Sequence, residues 1–346
     1  MTATPVAVSD IVSKTGQTRA LTMQKISQIR AITGRLRILA LNAMIEATHA
    51  GDLGRGFAIV AQEVRTISSE VEGLSGAFAQ EILGEIAELE TLAQSMAHQA
   101  QGSRCVDLAL NAIELIDRNL YERTCDVRWW ATDAAIVDCA AHAGEAERAL
   151  ASQRLGVILS AYTVYLDIWL CDLDGKVIAS GRADRYGVQG QSMAQRPWFE
   201  TGKTLADGNA YGVTEVDVEP SLGHAQVATY VASVREGGAV DGRPIGLLAI
   251  HFDWEPQARA IVAGVRLAPD EQLRTRVLLI DGKRRVIAAS DGRGVLSEKV
   301  ELDTKGTASG FHSNARQELI AFHRTPGYET YAGLGWHGVI IQHPRA

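Results

Sequence analysis

The run Arg196-Pro197-Trp198-Phe199 places two recognition groups close together. A guanidinium can grip a carboxylate through two parallel hydrogen bonds, and an indole beside it can close a pocket. Catalysis has no comparable candidate. The nine histidines are scattered, and HExxH, GxSxG and Walker-type loops are absent. The expected protein is not an enzyme and has no metal and no cofactor. Cys105, Cys125, Cys139 and Cys171 are widely and irregularly spaced, so they read as apolar thiols in a reducing compartment rather than a zinc or redox motif.

A second recognition element lies far upstream. Residues 38–65 read ILALNAMIEATHAGDLGRGFAIVAQEVR. After the break at Gly51-Asp52-Leu53-Gly54, apolar residues recur in steps of three and four at Phe57, Val60, Val64, Ile67, Val71, Leu74 and Phe78. Before it, Ile29, Ile32, Leu36, Leu39 and Ala43 do the same. Such seams want partner helices, so the spacing predicts an antiparallel coiled-coil hairpin that assembles into dimers or larger bundles. Gly51, Gly54 and Gly56 are expected to take positive φ in the reversal, with Asp52 in the turn. An apolar strip left exposed on a hairpin is an interaction surface.

The hairpin is followed by elements that must position Arg196 and Trp198. Helix is expected over about 10–100, ending at Gly102-Ser103, then a new helix from Val106 with Val106, Leu110, Ile113, Ile116 and Leu120 on one face. Thr132-Asp133 offers an N-cap, and a further helix covers about 145–163. From Leu166 the period becomes two. A strand, an Asp174-Gly175 turn and the strand KVIAS follow, and the unit returns as Val277–Ile280, Asp281-Gly282 and Arg285–Ser290. Later strands are expected at 226–235, 245–252, 318–323 and 338–342. The repetition predicts tandem α+β modules. The expected divisions are 1–100 for the hairpin, 101–165 for a helical connector, 166–265 for a first module and 266–346 for a second.

Composition narrows the classes. A net charge of −7 and a pI near 5.8 over 346 residues disfavour a nucleic-acid surface. No apolar run is long enough to span a bilayer, and the first residues lack the pattern of a secretion signal, so a cytoplasmic protein without membrane insertion is expected.

The 38–65 string resembles the kinase-control tip of bacterial methyl-accepting chemotaxis receptors. That resemblance implies that Ile38, Leu41, Asn42, Glu46, Arg55, Ile59 and Val60 contact other chemoreceptors, the coupling protein or the chemotaxis histidine kinase. It also implies a homodimer or a trimer of dimers. Gly34, His49 and Asp52 depart from the family pattern, and Glu85, Glu88 and Glu90 read as surface charge rather than adaptation sites. Residues 105–346 resemble a double Cache domain, a pair of PAS-like modules on one long helix. By that resemblance Arg196 and Trp198 hold a small ligand in the first module, with Tyr211, His251 and Asp253 near. The family's acidic group for a ligand amine falls on His251, which points to a carboxylate or other small anion instead of a free amino acid. The expectation is a cytoplasmic chemoreceptor-like transducer that modulates the kinase through the coupling protein. Alternatives are a module that only docks into receptor arrays, or a haem-type PAS sensor.

Overall fold

The computed structural model describes residues 8–344. The chain forms two compact units, Met1–Gln101 and Gly102–Ala346.

In the first unit, α1 (Val8–His49) and the early part of α2 (Arg55–Trp130) are joined by one 3-10 turn, Gly51–Gly54. The arms do not meet along the large apolar seams. They meet along a stripe spaced by seven and made, apart from Ile26, of small residues: Ile26, Thr33, Ala40 and Ala47 on α1, and Gly54, Ala61, Ser68 and Ser75 on α2, all buried. Thr33 and Ser68 hydroxyls donate to carbonyls of their own helices, at 3.1 Å to Ile29 and 2.7 Å to Val64. Their polarity is thus satisfied without water, and the helices can approach closely. The large residues face out, with Phe57 74% and Leu74 71% exposed.

The glycines of the turn have different roles. Only Gly51 has positive φ (57°). Gly54 is needed for space, because a Cβ there would collide with the Ala47 carbonyl, whereas a Cβ on Gly56 would meet nothing. The expectation of positive φ at Gly54 and Gly56 is therefore corrected: the short 3-10 turn requires one left-handed residue, not three.

In the second unit, Gly102 and Ser103 do not end a helix; α2 continues through them to Trp130. Gly102 serves packing, since a Cβ would strike the Phe311 ring. Two helices follow, α3 (Ala134–His142) and α4 (Glu145–Ala161), and the Asp133 carboxylate caps α3 by accepting from Ala135 N at 3.0 Å.

The first module is built from β1 (Tyr165–Cys171), β2 (Val177–Ser180), α5 (Ala183–Tyr186), α6 (Pro197–Lys203), β3 (Tyr211–Val213), β4 (Asp217–Glu219), β5 (Ala225–Arg235) and β6 (Pro244–Asp253). Its antiparallel sheet runs β2-β1-β6-β5-β3, with β4 also on β5. Helices α7 (Trp254–Gly264) and α8 (Pro269–Gln272) lead to β7 (Thr275–Ile280), β8 (Val286–Ala289), β9 (Ser309–Ser313), β10 (Leu319–Arg324) and β11 (His337–Gln342), in the order β8-β7-β11-β10-β9. In both modules the last strand lies against the first.

The repeat aligns differently from the two Asp-Gly dipeptides. The Asp172 carboxylate accepts from the amides of Asp174 (3.0 Å) and Lys176 (2.9 Å), and Asp281 accepts from those of Lys283 (2.8 Å) and Arg285 (2.9 Å). Asp172 thus corresponds to Asp281, and Gly175 (φ 87°) corresponds to Arg284 (φ 67°). The bracketing carboxylate, not the dipeptide, defines the turn.

One apolar core joins Ile113, Ile116 and Leu120 of α2 to Ile168 and Ile250 of the first sheet and Leu279 and Ile340 of the second. Polar anchors add register. Asp126 accepts the Tyr165 hydroxyl, with the Arg123 guanidinium 5.0 Å from the Tyr165 ring centre. Asp117 accepts from Thr325 and from the Gly327 amide. Where β11 crosses α2, a Cβ on Gly338 would collide with the Ala109 carbonyl. Both partners there are backbone and cannot rotate away, so Gly338→Ala is expected to destabilise this unit by about 2 kcal/mol. Chemical denaturation of the full chain, followed by tryptophan fluorescence, measures it; an unchanged midpoint would refute the close approach.

Candidate functional site

Arg196 and Trp198 flank the start of α6, where Pro197 occupies the first helical position and needs no amide partner. Both line a cavity of about 370 Å³, together with Thr214, Glu215, Asp217, Glu219, Val227 and Thr229 from the strands and loops opposite, and Lys283 from the second module. The cavity size suits a small molecule. Trp198 is 3% exposed, and its indole nitrogen has no hydrogen-bond partner among the described residues. A buried donor of this kind is free for a ligand acceptor.

The electrostatics differ from the sequence expectation. Arg196 is already paired: one of its terminal nitrogens lies 2.9 Å from a buried Glu219 oxygen, which also accepts the Ser221 amide at 3.0 Å. Glu215 accepts the Trp336 indole proton at 2.7 Å, and burial raises its pKa from the usual carboxylate value. Three carboxylates, Glu215, Asp217 and Glu219, face two cations, Arg196 and Lys283. A bare carboxylate therefore meets a wall that is not net positive.

Three expected site residues lie elsewhere. Tyr211 does not line the cavity. It pairs with Ala232, whose side chain belongs to the helix-side core, so its ring turns toward α2 and lies 5.5 Å from the Arg128 guanidinium. Asp253 is at the end of β6, outside the lining; burial raises its pKa, opposed in part by Arg185 and Arg182. His251 is fully buried behind the cavity wall, its ring centre 3.9 Å from that of Trp169 and 5.9 Å from that of Trp198. Its Nδ1 lies 3.0 Å from the hydroxyl of Thr229, which lines the cavity. Burial, reinforced by Arg196, lowers its pKa to about 3. It is neutral and cannot be the second positive group expected from the sequence.

Behind this wall, buried Asp167 accepts the Trp169 indole proton (2.8 Å), the Ser180 hydroxyl (2.6 Å) and the amides of Ile168 (2.8 Å) and Arg182 (3.0 Å). Four donors on one carboxylate lock Trp169, which in turn fixes His251 and the face carrying Trp198. Thr214, Glu215, Asp217 and Glu219 were missed from the sequence. The visible signal was the acidic alternation TEVDVE at 214–219, which places every second side chain on one face.

On the hairpin, Ile38, Leu41, Ile59 and Val60 are 62, 48, 72 and 61% exposed, and Asn42, Glu46 and Arg55 are also exposed. Ile38 and Leu41 of α1 line one open groove with Gln62, Arg65, Thr66 and Ser69 of α2; Ile59 and Val60 lie outside that groove. Arg55 pairs with Asp52 at 2.9 Å beside the turn.

Residues 5–149 match the family model of the methyl-accepting chemotaxis protein (MCP) signalling domain. The chain is 43% identical over 75 residues to the methyl-accepting chemotaxis protein NahY of Pseudomonas putida, covering 22% of this chain and 13% of that protein. It is 45% identical over 92 residues to methyl-accepting chemotaxis protein IV of Escherichia coli, covering 27% of this chain and 15% of that one. Each alignment thus spans well under a quarter of the relative. Among solved structures, the sensory domain of the Campylobacter jejuni chemoreceptor Tlp3 aligns with a TM-score of 0.53 at 15% identity, over 71% of this chain and 94% of that domain. The sensor domain of the Vibrio cholerae histidine kinase DctB aligns at 0.50 and 12%, over 74% and 98%. The N-terminal part is thus similar to an MCP signalling domain, and it precedes a region with the Cache-like fold of bacterial sensor domains.

Proposed function

We propose that the chain is a chemoreceptor-like signal transducer in which ligand binding to the first module alters the output of the hairpin. The observation that carries this reading is the hairpin itself: a tip sequence matching the signalling family, on arms whose large apolar residues have no cover among the described residues. In this reading Phe57, Leu74 and Phe78 pack against a second copy, and Ile38, Leu41 and Glu46 meet the chemotaxis kinase, its coupling protein or other receptors. α2 carries the change, since it belongs to both the hairpin and the sensor core. The acidic excess favours a small amine or zwitterion over a simple anion, with Arg196 and the Trp198 indole proton taking any carboxylate. Among the described residues no helix is long and apolar enough to cross a membrane. A cytoplasmic location is part of this reading.

The test is kinase phosphorylation reconstituted with coupling protein, with and without ligand; unchanged activity in both conditions would leave docking alone. The ligand is sought by thermal shift with small amines, zwitterions and carboxylates. Arg196→Lys keeps the charge facing Glu219 but loses the planar fork. It is expected to stay folded and lose most of the ligand-induced rise in Tm, and an unchanged rise would place the site elsewhere.

A further inference from the structure

We propose that the second module carries its own site for a small anion, a carboxylate or a phosphate, formed by Arg284, Arg324 and His337 at one end of its sheet. The inference is independent of the reading of the first cavity.

The backbone gives the first reason. Arg284 sits in the Asp281–Arg285 turn at φ 67°, where the first module has Gly175 at φ 87°. An L side chain is strained in this region, and strain of this kind persists where the side chain is used. Arg284 is half-buried, and its Nη1 is withdrawn from water without a hydrogen-bond partner among the described residues. A guanidinium nitrogen withdrawn from water needs an acceptor.

The register gives the second. His337 on β11 is paired with Arg324 on β10 and with Ile280 on β7, the residue immediately before the turn that holds Arg284. His337 is 8% exposed, and its Nδ1 also has no partner. The Phe322 ring, 6.4 Å from the imidazole, provides an apolar side to the site. Neither Arg284 nor Arg324 forms an ion pair among the described residues, in contrast to Arg196.

Charge gives the third. Burial, then Arg284, Arg324 and His323, lower the pKa of His337 to about 4. The site thus holds a half-buried guanidinium, Arg284, an exposed one, Arg324, at its mouth, and a neutral imidazole that can donate one hydrogen bond. An anion would neutralise the charges and fill both orphaned nitrogens. The first cavity, with its three carboxylates, is built for a different ligand.

The test uses the full chain carrying Arg196→Ala, so that the first cavity cannot report an anion. Inorganic phosphate and succinate are titrated by calorimetry and by NMR of the His337 imidazole. The expected result is a saturable shift of that imidazole, with Arg284→Gln and Arg324→Gln each weakening binding about tenfold and the double variant abolishing it. Arg284→Gly separates site loss from unfolding: it relieves the left-handed strain, so it is expected to raise Tm while losing the anion. An imidazole unmoved by either anion at tens of millimolar, or equal affinity in the double variant, would overturn the proposal.

Discussion

Between pH 6.5 and about pH 4, the protein is expected to lose roughly 3 kcal/mol of stability that His251→Gln does not lose. The imidazole of His251 is fully buried, and its pKa falls from the ordinary 6.5 to about 3. The unfolded chain therefore takes up a proton near pH 6.5, while the folded chain refuses it until near pH 3. The stabilisation is complete above 6.5 and declines by about 1.4 kcal/mol per pH step below it. Asp117, Asp126, Asp167, Glu215 and Asp253 all have pKa values raised by burial, so they bind protons more readily when folded and oppose this trend. They are common to both proteins and cancel in the difference. Urea denaturation in steps from pH 7.5 to 4 gives the two curves. His251→Gln starts lower because its fit against Trp169 and Thr229 is poorer, so the diagnostic quantity is slope rather than intercept. Parallel curves would show that His251 can be protonated in the folded state.

Gly54→Ala is expected to open the hairpin at its turn, at a cost of about 2–3 kcal/mol to local stability. The added methyl would press on the Ala47 carbonyl, so the 3-10 turn must widen and the Ala47 layer must separate. Gly51→Ala is expected to cost less, about 1 kcal/mol, because it meets no atom and only φ 57° resists it; Gly51→Asn should be milder still. Hydrogen exchange of the full chain resolves this by region: protection should fall at 40–61 in Gly54→Ala while the 165–253 sheet stays unchanged. If the turn is the output surface, kinase control is lost in Gly54→Ala and kept in Gly51→Asn. Equal protection in all three proteins would show that close approach at Gly54 does not hold the hairpin together.

Periodicity was enough to read the hairpin, the Asp133 cap and most long strands, because each depends on local pattern. It misassigned the hairpin interior. Large residues every three or four positions look like the natural seam, but Ala40, Ala61 and Ser68 allow closer approach and take the inside. Gly102 looked like a terminator because a helix-breaking residue and a packing glycine are the same letter. In the site, Arg196 and Trp198 were legible as a local string. Tyr211 failed because strand register, fixed by pairing with Ala232, decides which face a side chain takes. Glu219 was invisible because its meaning depends on Arg196, 23 residues away. Arg284 was hidden by an alignment of Asp-Gly pairs that the turn hydrogen bonds do not respect.

The alanine and serine stripe between the arms has a consequence for dosage. Burying a methyl or a hydroxymethyl releases little free energy, so a lone hairpin gains modestly from closing on itself. Most of the apolar surface that could stabilise it, from Ile29 to Leu39 and from Phe57 to Phe78, is exposed, and in the proposed dimer a second chain would cover it. Order in the arms would then follow mass action: when copies are scarce, the amount of competent hairpin rises with the square of protein concentration and its fraction in direct proportion. Expression level would thus set a threshold as well as an amplitude: a cell making few copies would hold folded sensors with nothing rigid to report through.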